Sequence, residues 1–447
     1  MTLGVALVLS GCTNTRTMEM PDMEMPDMET PDMEMPDMEI PDNVDLRQAA
    51  VFSMSNHRDG NAIAAFSRDA NGMLSLVDRF DTGGTGSGSF EDVANALVLG
   101  SDQGESSPNN HIETGNWLYA ANAGSNSVTV FRVEADGLDR ISVTASGGEK
   151  PVSVTVNGGM LYVLHSGETE DDLFDENMEF IAPNCTTGGM PSITGFRVSA
   201  SGELTPIPNS TRQLSGDAFS GCAQVSFNPS GAVLVVTERT AVDPPSSNNM
   251  MPAGDEGLIV TFAMNADGTP GEKRMVSSTG QGPFGFTFTK SGNLLVTEQF
   301  DGPVGPRKGA ASGYTVGANG ALSASGGDVE NGGTDTCWIV ATDDGQIAFA
   351  ASFFDPTPRI SSYRVAGNGA LSLIDAEAAV PSMQGVADIA LSGDSRFLYN
   401  VNALNGMVTG YRVGGNGSLT MMQTIAAHAP SMARGVNQAG IFGLAAR

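Results

Sequence analysis

Basic residues are scarce in this sequence. Among 447 residues, 22 Lys and Arg face 51 Asp and Glu, a formal charge of −29, and only Lys150, Lys273, Lys290 and Lys308 are lysines. Such a surface repels a phosphate backbone, which argues against nucleic acid as a partner. Long apolar runs are missing as well. Past the N-terminal dozen residues no stretch reaches the ~18 consecutive apolar residues of a membrane span, so no spanning helix is expected there. Hydrolase and phosphate-loop signatures are absent: no serine lies in a Gly-x-Ser-x-Gly elbow, and the glycine-rich "GGTGSGSF" (83–90) opens no helix that would present amides to a phosphate.

The N-terminus carries an apolar run, Leu3 to Leu9, that ends in Leu9-Ser10-Gly11-Cys12. This tetrad resembles the lipobox of bacterial lipoproteins, in which small residues admit a signal peptidase to a cysteine that is lipidated and becomes the mature N-terminus. The resemblance implies a signal over residues 1–12 and lipidation at Cys12. No Lys or Arg precedes the run, which points to a start codon further upstream. Residues 13–48 read as a tether. They give Met-Glu-x-Pro-Asp five times, and each copy holds a proline without a backbone donor and two acids that repel their neighbours, so neither helix nor sheet propagates. At about 3.1 Å per residue, roughly 30 residues of this kind reach about 90 Å. The expected location is extracytoplasmic, in the cell envelope, with the membrane met through the lipid alone. From Asn43 onward, 41 acids and 21 bases leave a charge of −20.

Residues 49–447 repeat at a spacing of about 50 to 65 residues, the range of propeller blades. One aromatic aligns seven units: "NAIAAFSR", "NSVTVFRV", "PSITGFRV", "GLIVTFAM", "GAASGYTV", "RISSYRV" and "GMVTGYRV". Most are followed by a turn such as Ala-Asn-Gly or Gly-Asn-Gly and a further strand such as "LSLVD", which is hairpin chemistry. Two more strands precede each, so every unit is a four-stranded antiparallel sheet. The first unit has no first strand, because the chain enters at "AAVFSMSN"; the C-terminal "QAGIFGLAAR" supplies one, with residues near Gly440 to Leu444 expected beside Val51 to Ser55. The fold class is therefore all-β: a seven-bladed β-propeller closed by its C-terminal strand, which leaves no open sheet edge in the ring.

"AANAGSNSVTVFRV", "QVSFNPSGAVLVVTE", "PFGFTFTKSGNLLVTE" and "DIALSGDSRFLYNVNA" resemble the seven-bladed lactonase-like propellers, a group with propeller-type 6-phosphogluconolactonases and carboxymuconate cyclases. The likeness spans nearly all of 50–447 and implies a small-molecule lactone or carbohydrate as ligand. Catalytic members carry, in the unit aligned with blade four, an Arg and a His just inside the first strand and a Glu ending the second. Here those positions are Ala223, Gln224 and Glu238, and the histidine pair of the preceding blade is replaced by "KPVSVTV".

Second strands end on one rim of a propeller, at Asn56, Asn122, His165, Glu238, Glu298, Ser352 and Asn402. His165, Glu238 and Glu298 fall in consecutive blades, with Gln224 and Asp388 expected nearby, facing the channel. The insertions 166–190, 239–256 and 300–309 join second to third strands and belong on the same face, where loops on a rigid scaffold build binding sites. For lactone hydrolysis Glu238 is the candidate base, His165 the acid and Arg239 the cation that meets the oxyanion, with Glu298, Gln224 and Asp388 binding substrate. The competing reading is a non-catalytic surface module that binds a glycan, peptide or protein. The acids of 168–179 lack EF-hand spacing and read as a solvated loop, so no metal or cofactor is expected. A monomer is expected. Cys185 and Cys222, both placed on the rim face, are the expected disulfide, leaving Cys337 free.

Overall fold

The computed structural model describes residues 45–88, 93–101, 116–167, 190–216, 220–240, 257–300, 305–428 and 443–447. Cys12, the tether, Cys185 and the acidic loop 168–179 lie outside these residues. The described chain forms seven antiparallel sheets, each built in sequence order from the centre outward, except the first. Blade four illustrates the pattern. Its first two strands, Cys222–Phe227 and Val233–Glu238, are buried along their whole length because both of their faces pack on neighbouring blades, so they read as continuous apolar runs. The turn between them is closed by Asn228, whose Oδ1 accepts the Val233 amide at 3.0 Å, and by Gly231 at φ +69°. Leu258–Met264 follows, and Pro270–Ser277 forms the outer edge with its charged residues in water.

The aromatic that marks each unit is part of the core. Phe66, Phe131, Phe196, Phe262, Tyr314, Tyr363 and Tyr411 are all buried, one per third strand. Each large ring fills the wedge between adjacent blades, which is why the same residue class recurs at that position.

First strands touch their neighbours all the way round, so the ring is complete. In blades three to seven these strands slip register near their start, between Pro151 and Ser153, Cys222 and Gln224, Pro283 and Phe286, Thr336 and Trp338, and Ala387 and Ile389. An extra residue there bends the strand and frees backbone groups for other partners. Side chains take them up: Thr237 donates to the Phe284 carbonyl at 2.6 Å and Thr297 to the Cys337 carbonyl at 2.8 Å, each tying one blade to the next.

Closure occurs as the repeats require, two residues further along than the sequence suggests. Leu444–Ala446 is the first strand of blade one and pairs Val51 with Ala446, Phe52 with Ala445 and Ser53 with Leu444. Arg68 Nε and Nη2 donate to the Arg447 carbonyl at 3.1 and 3.0 Å, and the Asp388 carboxylate accepts the Leu444 amide at 3.1 Å.

Candidate functional site

The rim where second strands end carries the ring of polar residues that the repeats pick out. In blade one the ring position is Ser55, whose amide bonds the Ala62 carbonyl at 2.9 Å; Asn56 lies one residue beyond it. Every strand-end side chain in blades two to five binds the connection that leads into its own blade. Asn122 accepts from Thr82 at 2.8 Å. His165 Nε2 donates to the Ser146 carbonyl at 3.1 Å. Glu238 accepts the Ser215 amide on Oε2 at 2.9 Å and the Ser215 hydroxyl on Oε1 at 2.8 Å. Glu298 Oε1 accepts the hydroxyls of Ser278 and Ser312. His165, Glu238 and Glu298 thus share one rim in consecutive blades, and each is bonded to a different connection.

These groups are fully or almost fully buried, and burial sets their protonation. Loss of water raises Glu238 to about 7 and Glu298 to about 8, against the opposing pull of their serine donors. It lowers His165 to about 4, so the imidazole is neutral at ordinary pH, with its Nε2 proton held by Ser146. A Cβ on Gly280 would sit 2.7 Å from the Glu298 side chain, and one on Gly148 would sit 2.6 Å from the His165 ring, so glycine in each connection lets the backbone lie directly on the polar group.

A second polar island lies one blade further round, and sequence reasoning found only part of it. The Arg239 guanidinium stands over the Phe284 ring, 5.9 Å from its centroid, in the field of Asp335 and Cys337. Cys337 is a free thiol that donates to Asp335 Oδ1 at 3.3 Å and lies 3.9 Å from Gln299 Oε1. Burial raises Asp335 to about 6, and burial together with that carboxylate pushes the thiol well up. Asp335 precedes a first strand and gave no sequence signal, whereas Gln299 occupies the repeat position of Arg239, directly after the strand-end glutamate, and could have been found there. Cys337 is therefore expected to resist a thiol reagent in the native protein and to react at the rate of a free peptide thiol once unfolded. Comparing labelling of the wild type with Cys337→Ser checks this; fast native labelling that disappears in the variant would contradict it.

Gln224 and Asp388 do not face an open channel. Gln224 forms a two-bond clasp with blade five, Nε2 donating to the Phe286 carbonyl and Oε1 accepting its amide, both at 2.8 Å. Asp388, raised to about 7 by burial, is engaged with the closing strand. Each is a stitch between first strands, because a buried amide or carboxyl beside a backbone row is best satisfied by that row. Cys222 is buried, with Sγ 3.9 Å from the His165 carbonyl; its expected partner Cys185 is outside the described residues.

The channel mouth itself is filled by the connection between blades one and two. Trp338 Nε1 of blade six donates to the Val93 carbonyl at 3.0 Å. The Ala94 amide donates to the Ala223 carbonyl of blade four at 3.1 Å, Asn95 accepts the Val154 amide of blade three at 2.9 Å, and Ala96 accepts the Ala121 amide of blade two at 2.9 Å. Residues 93–96 therefore span the end of the channel as a hub, with Ala94 packed among Ala223, Phe284, Cys337 and Trp338. Asn95 adopts φ +62° to turn there, a conformation that asparagine tolerates. Among the described residues no three His, Cys, Asp or Glu side chains converge as metal ligands.

Known structures share this architecture. A provisionally assigned 6-phosphogluconolactonase from Bacteroides fragilis superposes with a TM-score of 0.61 at 15% identity, over 90% of this chain and 98% of that one. A periplasmic gluconolactonase from Pseudomonas aeruginosa gives 0.60 at 14% identity, over 88% and 99%. A protein from Lactobacillus plantarum gives 0.59 at 14%, over 90% and 99%. No family model and no curated protein sequence matches the chain. At these identities the likeness is one of fold: a seven-bladed β-propeller.

Proposed function

We propose that this lactonase-like propeller is an exported binding module, held on a lipid at Cys12 by its acidic tether, that recognises a glycan, peptide or protein with the rim of blades three to five. The observation that carries this reading is the hub. Ala223 and Gln224 stand where the resemblance calls for a catalytic Arg and His; the Ala223 carbonyl is bonded to Ala94, and Gln224 is bonded to Phe286. Main chain and apolar side chains of residues 93–96 therefore stand directly against Ala223. The described strand ends His165 and Ser192, and Glu238 and Leu258, are paired on that same rim, and connections on a rigid scaffold are where binding is usually built.

Lactone hydrolysis is the second reading, favoured by Glu238: a carboxyl raised to about 7 next to Arg239 has the proton affinity that acid–base work at neutral pH requires. One experiment separates the two. A panel of sugar and organic-acid lactones is incubated with wild type and Glu238→Gln, beside a glycan and peptide array. The binding reading expects no turnover above buffer and retention on the array; turnover by wild type that falls at least about 100-fold in Glu238→Gln would replace it with the hydrolase.

A further inference from the structure

The seven outer strands do not protect their edges equally. Blade one's Leu74–Asp81 carries Asp78, Arg79 and Asp81, and blade two's Leu138–Ala145 carries Asp139 and Arg140. Blade four's Pro270–Ser277 carries Glu272, Lys273 and Arg274, and blade six's Leu371–Ala379 carries Asp375 and Glu377. Blades three and five break the edge into pieces of three and two residues. Charges and short strands are the usual means of keeping a row of unpaired amides and carbonyls from pairing with another chain. Blade seven's outer strand, Leu419–Ala426, has neither: "LTMMQTIA" is eight residues long and holds no charge. It does slip register beside Met422, but blades one and two carry the same slip at the matching place and add charges to it.

This edge also carries the most exposed large hydrophobic side chain described, Met421 at 61%, and the neighbouring blades six and one expose Leu373 at 39% and Met73 at 40%. The strand is held firmly from behind, since the Gln423 amide clasps the Leu74 backbone, accepting its amide at 2.7 Å and donating to its carbonyl at 2.9 Å.

We propose that two copies of this chain join edge to edge through Leu419–Ala426, antiparallel about a two-fold axis, in place of the monomer expected above. In that pairing Met422 faces Gln423 and Met421 faces Thr424 of the second copy, and the two blades continue as one eight-stranded sheet. Charge selects the occupant. The body from Asn43 carries −20, so two copies repel wherever acids meet, as they would at the other long edges; at Leu419–Ala426 neither copy presents a like charge to the other. A strand that pairs with itself also supplies the isologous contact that a closed dimer needs.

The test is sedimentation equilibrium of the full chain carrying Cys12→Ser, which keeps it unlipidated, over a micromolar concentration series. Wild type is expected at twice the chain mass. Met421→Lys and, independently, Thr420→Lys are expected at the mass of one chain with the circular dichroism spectrum of the folded wild type, since both positions are exposed and leave the propeller core untouched. A wild type that stays at one chain mass throughout overturns the proposal. So does a dimer that survives both lysine variants, which would place the contact elsewhere.

Discussion

A chain cut after residue 442 is expected to lose cooperative unfolding. The cut removes the first strand of blade one, in which Leu444, Ala445 and Ala446 are fully buried, and with it the register to Val51, Phe52 and Ser53. Deleting a buried leucine alone costs about 2–5 kcal/mol. Here Phe52 loses its cover as well, Asp388 loses the Leu444 amide, and the strand Ala50–Met54 is left with an open edge inside the ring. The sum is on the order of a whole domain's margin of about 5–15 kcal/mol. Urea unfolding followed by the fluorescence of Trp117 and Trp338, in blades two and six, reads the effect. Wild type should show one transition by both probes, and the truncated chain should show separated or uncooperative ones. A single coincident transition with the wild-type slope in the truncated protein would mean that the ring does not depend on its closing strand.

The second large effect is on stability as a function of pH. Glu238 and Asp388 are raised to about 7 and Glu298 to about 8 by burial, so the folded protein binds protons that the unfolded chain has released. Stability therefore falls as pH rises from the ordinary carboxyl range, near 4, through those values. His165 and His428, both lowered to about 4, act in the opposite sense: the unfolded chain binds their protons, and stability rises with pH until about 6.5, the ordinary imidazole value. The two trends oppose each other up to that point, and above it only the carboxyls remain. The melting temperature is expected to drop most steeply between pH 6.5 and 8. Glu298→Gln keeps the shape and removes one proton from the balance, so the gap between variant and wild type should move in the variant's favour by on the order of a few kcal/mol from pH 5 to pH 8, at about 1.4 kcal/mol per unit. Parallel curves for the two proteins would show that Glu298 titrates normally.

The ring was legible in the sequence because its physics repeats. A wedge-filling aromatic must recur in every third strand, and a hairpin turn must follow it, so Phe66 to Tyr411 could be aligned without a partner structure. The rim was legible for the same reason: His165, Glu238 and Glu298 end equivalent strands. What those side chains bind was hidden, since the Ser-Gly and Ser-Thr-Gly steps at Ser146, Ser215 and Ser278 look like ordinary turn residues and carry no sign of a partner. Gln224 and Asp388 were placed correctly along the strand and misjudged in direction, because the register slips at Ala223 and Ala387–Ile389 turn them toward the next blade. The hub was the largest omission. "GGTGSGSFEDVANA" looks like a plain linker until three other blades supply its hydrogen bonds.

That hub also orders events in time. A ribosome delivers residues 93–96 early, while the groups that receive them, the Val154 amide, the Ala223 carbonyl and finally the Trp338 indole, are separated from them by up to 245 positions. Until blade six exists, the Val93 carbonyl lacks its indole partner and Ala94 lacks the part of its apolar cover that Cys337 and Trp338 supply. Contacts so distant in sequence are closed late and slowly, so assembly of the propeller is expected to wait on the most remote of them, and an interrupted chain that stops before Trp338 would hold every early blade without the centre that unites them.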